Sequence, residues 1–353
     1  MQDFAPFSLY PYDPVKPLPI IFTIIVFGLG VYHGVQTFLR YKWPRFGFMM
    51  TWASAVWMAG FITRAYSVYH PTNIPLFICQ YVLILAGPPI FAAAETFILG
   101  RLYAYLPYHA PILPGRVLST FFILGIAVEV LASNGASRIA NNTGTSEDNL
   151  TARYTGISLL KTALILQAAL EVLFFSLVGH LQYRCTRPGS HFPHNVKVMC
   201  YLLYITSSMM FVRCVVRVVE GFELGSCGPT SGYCGPVQQY EWFLWVFEVA
   251  NITIFVAALA VFTPGKYLDR DTKRFLDQRD GITERMGPGM ENMDHRPFIA
   301  TVLDPFNVCA LIRRKKPFPE FWLEEWPVAD GSRERGNVAL TTKESQKEGL
   351  MKV

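Results

Sequence analysis

Long apolar runs alternate with short polar breaks along this chain. Seven runs stand out, at about 18–38, 46–67, 76–100, 117–137, 156–181, 198–220 and 240–263. Each holds about 20 residues, and at about 1.5 Å per residue that reaches across roughly 30 Å of hydrocarbon. In lipid a single segment must satisfy its own backbone hydrogen bonds, so runs of this length read as helices. The pattern predicts an all-α membrane protein built as a seven-transmembrane-helix bundle. Residues 1–17 are Pro- and Tyr-rich, without a basic segment or a small-residue cleavage site, so the first run is expected to act as a signal anchor. In the third run Gly87-Pro88-Pro89 predicts a break, and a polar loop is expected at about 138–155.

Composition agrees with this picture. The 353 residues are 52% hydrophobic and only 16% charged, too apolar for an ordinary soluble protein. Charge is also segregated: about 26 of the 57 charged residues precede Pro264, and the rest crowd the last quarter. The expected organisation is an extracellular N-terminus at 1–17, a membrane domain at 18–268 and a cytosolic, largely disordered tail at 269–353. The basic excess sits in short loops between apolar spans, so it is no nucleic-acid signal. Arg40, Lys42, Arg45, Arg101, Arg116, Arg184, Arg187 and Lys197 all fall on one side. The other side collects the N-x-Thr sequons at Asn141 and Asn149 and a loop carrying Cys227 and Cys234. The positive-inside rule therefore puts the N-terminus outside and the tail in the cytosol. A Cys227–Cys234 disulfide is expected, since an oxidising face permits one there.

Charges inside such apolar spans are costly unless they pair or line a wet cavity. At helical spacing Arg213, Arg217 and Glu220 share one face of the sixth span, and Glu241, Trp245 and Glu248 share one face of the seventh. Depth along the two antiparallel helices predicts Arg213 with Glu248 and Arg217 with Glu241. The seam is then either a structural ion pair that fixes helix register or a polar site facing a cavity. Glu95 lies below the proline break, and Glu129 and Glu171 lie near mid-depth, where they should face the bundle. Arg64 and Lys161 lie closer to the outer interface, where snorkelling explains them. Two separated histidines, His33 and His180, supply too few ligands for a buried zinc hydrolase. There is no G-x-S-x-G elbow and no phosphate-binding G-x-x-x-x-G-K-[ST] loop. No metal and no cofactor is implied, and an enzyme is not expected.

Several of these residues carry a resemblance. Gly60-Phe61 with Arg64, Pro88 with Ala92-Ala93-Ala94 and Gly100-Arg101, and Gly156 with Leu164 and Gln167 resemble the pattern of the RTA1-like, or lipid-translocating exporter, proteins of fungi. The most specific part is Arg213, Arg217, Glu220 and Gly221, followed by Glu241-Trp242 and Glu248. The likeness covers nearly all of 18–268. Glu248 stands where many members carry Asp, Thr96 replaces a common Tyr, and the family's Asp and Gln of span four have no evident match. The resemblance implies a fungal seven-helix protein linked to sphingoid long-chain-base release, sterol-analogue resistance or porphyrin handling. The expected partners are membrane lipids or amphiphilic small molecules, with no nucleic acid. The expected function is export of amphiphilic lipids or lipophilic toxic compounds, with resistance as the outcome, at the plasma membrane or an endomembrane. The candidate substrate-binding residues are Glu95, Glu129, Arg213, Arg217, Glu220, Glu241 and Glu248. A seven-helix sensor of lipid stress and an intramembrane lipid-modifying enzyme are the other readings.

Overall fold

A computed structural model describes residues 10, 12–142, 146–187, 193–226, 235–289, 299, 304 and 320–329. Six long helices come first: α1 (Pro17–Gly34), α2 (Pro44–Ser67), α3 (Ile74–Tyr105), α4 (Pro114–Asn141), α5 (Glu147–Cys185) and α6 (His194–Ser226). A π-helical stretch, Val35–Arg40, prolongs α1. After α6 come one short turn of helix, α7 (Pro236–Gln239), a second π-helical stretch (Leu244–Ala250), α8 (Asn251–Val261) and α9 (Pro264–Tyr267). Among the described residues seven helical segments are long and apolar enough to cross a bilayer, the first Pro17–Arg40 and the last Leu244–Tyr267. The chain is an all-α, multi-pass integral membrane protein. Helices α1, α2 and α4 each begin on a proline, whose fixed φ and missing N–H suit the first turn.

Two expectations about the helices are corrected. Residues 138–155 are mostly helical, because α4 continues to Asn141 and α5 starts at Glu147. Ile139 carries the buried apolar stripe past the membrane-length run of α4, and Glu147 and Asp148 complement the N-terminal end of α5. Nor does α3 break at Pro88-Pro89, since both prolines lie inside one continuous helix. The carbonyls of Ile84 and Leu85 lose their helical donors there, a loss that packed neighbours make tolerable.

The chain divides into two compact units. In the first (Met1–Thr96, Phe121–Leu177, Tyr201–Lys266) an aromatic cluster joins four of the spans. Trp57 packs against Phe61 and, edge-on, against Phe91, while Trp245 stacks on Phe22 with ring centroids 5.5 Å apart. A second cluster of Leu85, Val128, Ala132, Ile157, Leu160 and Leu164 joins α3, α4 and α5. Polar ties add register: Thr263 donates to Gln36 Oε1 at 2.6 Å, and Asn251 Nδ2 donates to the Met209 carbonyl at 2.6 Å. On the outer faces Ile24, Phe27, Leu39, Ile126, Val130 and Val261 are exposed. Such a surface suits hydrocarbon rather than water.

The second unit (Phe97–Thr120, Val178–Cys200, Tyr267–Val353) contains ends of α3 to α6 and a small sheet. Strands β1 (Arg274–Leu276) and β2 (Glu284–Met286) pair antiparallel, with Phe275 opposite Arg285. Phe275 packs edge-on against Phe321, and Leu113 joins them. Arg101 Nη2 donates to the carbonyls of Asp269 and Asp271 at 2.6 and 3.1 Å. Residues of the segment read as tail thus share a small apolar centre with Leu113. Cys227 and Cys234, the expected disulfide pair, lie outside the described residues.

Two polar cavities among the helices

The first cavity is ionic. Arg213, 1% exposed, donates through Nε to Glu248 Oε1 at 2.8 Å, and Arg217 Nε donates to Glu248 Oε2 at 2.8 Å. Arg217 Nη1 also reaches Glu220 Oε2 at 2.7 Å. The predicted Arg213–Glu248 pair is therefore present, but Arg217 shares the same carboxylate instead of taking Glu241. Glu241 belongs to Arg64, whose Nη2 donates to its Oε1 at 2.6 Å. Arg64 also donates to the Tyr12 hydroxyl at 3.1 Å and to Gln80 Oε1 at 3.2 Å. Snorkelling does not describe Arg64, which is buried. Depth along a helix says nothing about azimuth, and the π-helical turns between Glu241 and Glu248 offset one from the other.

The N-terminal segment closes over this cluster. The Val15 backbone N–H donates to Glu241 Oε2 at 2.6 Å, and the hydroxyls of Tyr10 and Ser67 lie 2.7 Å apart. Burial raises the Tyr12 hydroxyl above its ordinary range, although Arg64 beside it pulls the other way. Tyr12 therefore keeps its proton at neutral pH. The side chains enclose a cavity of about 80 Å³ lined by Tyr10, Tyr12, Gln80, Tyr81, Gln238 and Tyr240 together with the three arginines and three glutamates.

The second cavity is larger and acidic. It occupies about 940 Å³ between α2, α3, α4, α5 and α6, in the range that holds a drug-sized ligand. Glu95, 1% exposed, accepts from Thr206 Oγ1 at 2.6 Å. Glu171 accepts from Ser207 Oγ at 3.0 Å, so consecutive hydroxyls of α6 hold two carboxylates of one cavity. Glu129 Oε2 is buried without a hydrogen-bond partner among the described residues. The rest of the lining is mostly apolar, with Ala92, Ala93, Ile90, Val128, Leu170 and Phe174. Among the described residues the lining contains no Lys, Arg or His. Carboxylates in an apolar setting are costly, and a positively charged group or protons inside the cavity offset that cost.

A family model described as "RTA1 like protein" matches residues 50–271, well over half of the chain. The chain belongs to the RTA1-like family. A lipid-translocating exporter-like protein RTA1 of Leptosphaeria maculans is 30% identical over 322 residues, 88% of this chain. The chain spans 60% of that relative's length. A protein of the same description from Ajellomyces capsulatus is 24% identical over 78% of this chain and 86% of its own. The protoporphyrin uptake protein 1 of Saccharomyces cerevisiae is 24% identical over 72% of this chain and 91% of its own. No solved structure matches.

The RTA1-like region of this chain contains both cavities, apart from Tyr10, Tyr12, Phe48 and Met49. Of the residues singled out from sequence, Arg213, Arg217, Glu220, Glu241 and Glu248 meet in the ionic cavity, and Glu95 and Glu129 meet in the acidic one. Sequence reasoning missed Gln80, Tyr12, Thr206 and Ser207. The hydroxyl run Thr206-Ser207-Ser208 in the first half of the sixth span was the available signal for two of them. Gln80 and Tyr12 had none, because Gln80 lies near the start of its span and Tyr12 lies before the first. Among the described residues no group of three or more His, Cys, Asp or Glu is placed to hold a metal ion.

Proposed function

We propose that this protein moves a cationic amphiphile, an amine headgroup on a long apolar chain, between leaflets or out of the cell. The acidic cavity is its binding site. The observation that carries this reading is one cavity uniting three carboxylates, Glu95, Glu129 and Glu171, with an apolar lining free of Lys, Arg and His among the described residues. An ammonium headgroup supplies a positive charge inside the cavity, and the apolar wall accepts its chain. Phe48, Trp52, Phe122, Ile126 and Val130 line the cavity and are also at least half exposed. The cavity therefore reaches the outer surface of α2 and α4, which in a bilayer faces hydrocarbon. A lipid can enter sideways there without its chain crossing water. The names of two relatives, lipid-translocating exporter-like, accord with this reading. Sphingoid long-chain bases fit the headgroup and chain, and resistance to such amphiphiles at the plasma membrane is the expected phenotype. In this arrangement the N-terminus is outside, with glycans on Asn141 and Asn149 and a Cys227–Cys234 disulfide on the same face.

The test is flux of a labelled long-chain amine across liposomes holding the full-length protein. Glu129→Gln, which keeps shape and removes charge, should lower amine flux at least about tenfold, the effect of losing one charge-assisted contact. Flux of an uncharged analogue should change little. Equal flux of amine and uncharged analogue in the unaltered protein would sink the reading. Absent flux with specific binding retained would favour the lipid-stress sensor.

A further inference from the structure

Hydrogen-bond supply and demand do not balance in the ionic cavity. Its charges do: Arg64, Arg213 and Arg217 face Glu220, Glu241 and Glu248. Yet four oxygens of Glu241 and Glu248 are already engaged, by Arg64, the Val15 N–H, Arg213 and Arg217. Four donor nitrogens are buried with no acceptor among the described residues: Nη1 and Nη2 of Arg213, Nε of Arg64 and Nε2 of Gln80. All three side chains line the same cavity of about 80 Å³. A buried guanidinium whose two terminal nitrogens lack partners carries the full penalty of desolvation, which unmade bonds to a charged donor make especially large.

We propose that this cavity is a binding site for a small oxyanion of the phosphate or carboxylate class. Arg213 meets it with Nη1 and Nη2, and Gln80 and Arg64 supply further donors. A planar guanidinium edge suits two oxygens of one tetrahedral or planar anion at once. The same chemistry is offered by a free anion and by the acidic headgroup of a lipid. The proposal does not depend on the amine reading.

Thermal unfolding of the purified full-length protein in detergent tests this. Millimolar inorganic phosphate is titrated at constant ionic strength, and dioctanoyl phosphatidic acid is compared with dioctanoylglycerol. A bound ligand raises the melting temperature with the logarithm of its concentration above the half-saturating point. Phosphate itself stabilises proteins non-specifically, so the variants decide. Gln80→Glu keeps the oxygen that accepts from Arg64 and places a negative charge where the anion would sit. It should abolish the shift, while Glu129→Gln in the other cavity should retain it. Arg213→Lys keeps the positive charge beside Glu248 but loses the second edge, and should raise the half-saturating concentration roughly tenfold. A shift with phosphate marks a free anion, and a shift with phosphatidic acid alone marks a headgroup. No shift with either probe, or an undiminished shift in Gln80→Glu and Arg213→Lys, would overturn the proposal.

Discussion

At the scale of single residues, the ionic cavity separates what a helical wheel can say from what it cannot. Glu248 bonded to two arginines is a buried charge cluster, and such clusters are weak evidence for stability because desolvation offsets attraction. Its value lies in where it leaves Arg213, with two nitrogens free to meet something else. His109, in the short turn Pro107–His109, carries a different consequence. Burial, then the nearby Arg184 and His180, push its pKa down to about 4. An unfolded histidine titrates near about 6.5. Between those values the unfolded chain takes up a proton that the folded imidazole refuses, so stability falls as pH drops from about 6.5 toward 4. Melting temperature measured across that window should decline less steeply in His109→Gln than in the unaltered protein. Identical slopes would remove His109 as the cause.

At the scale of helices, the spans were readable in the sequence because each apolar run is long and bounded by Arg, Lys or Pro. Their ends and contacts were less so. A membrane-length run marks only the part that must avoid water, while α4 and α5 extend beyond it on packing. Their crossing depends on two facing glycines. A Cβ on Gly156 would sit 2.9 Å from the Gly135 carbonyl oxygen, and one on Gly135 would sit 2.7 Å from the Gly156 carbonyl oxygen. Small residues of this kind let membrane helices approach closely. Alanine at position 156 would gain about 1 kcal/mol of helix propensity. Overpacking costs about 1–3 kcal/mol, and the obstacle here is backbone, which cannot swing aside. Gly156→Ala is therefore expected to lower the melting temperature, and an unchanged or higher value would show that the helices separate freely. The pairing of Glu241 with Arg64 was hidden for a related reason. Position along a helix follows from counting residues, but azimuth depends on the π-helical turns of Leu244–Ala250, which no apolar pattern announces.

At the scale of the molecule, the charged residues singled out from sequence line two cavities, where the sequence had put them in one list. They appeared as a single list because all are costly in lipid, and the cost is blind to which cavity each one enters. The structure sorts them by helix face. Met210 and Cys214 of α6 line the acidic cavity, while Arg213 and Arg217 line the ionic one. One rigid element thus forms a wall of both chambers, and whatever moves it is felt twice. If phosphate tightens amine binding by some factor, thermodynamic reciprocity requires the amine to tighten phosphate by that same factor. Titrating each ligand with and without the other would measure both. Equal factors different from one would make α6 a shared lever between the chambers, and factors of one would make it an inert partition.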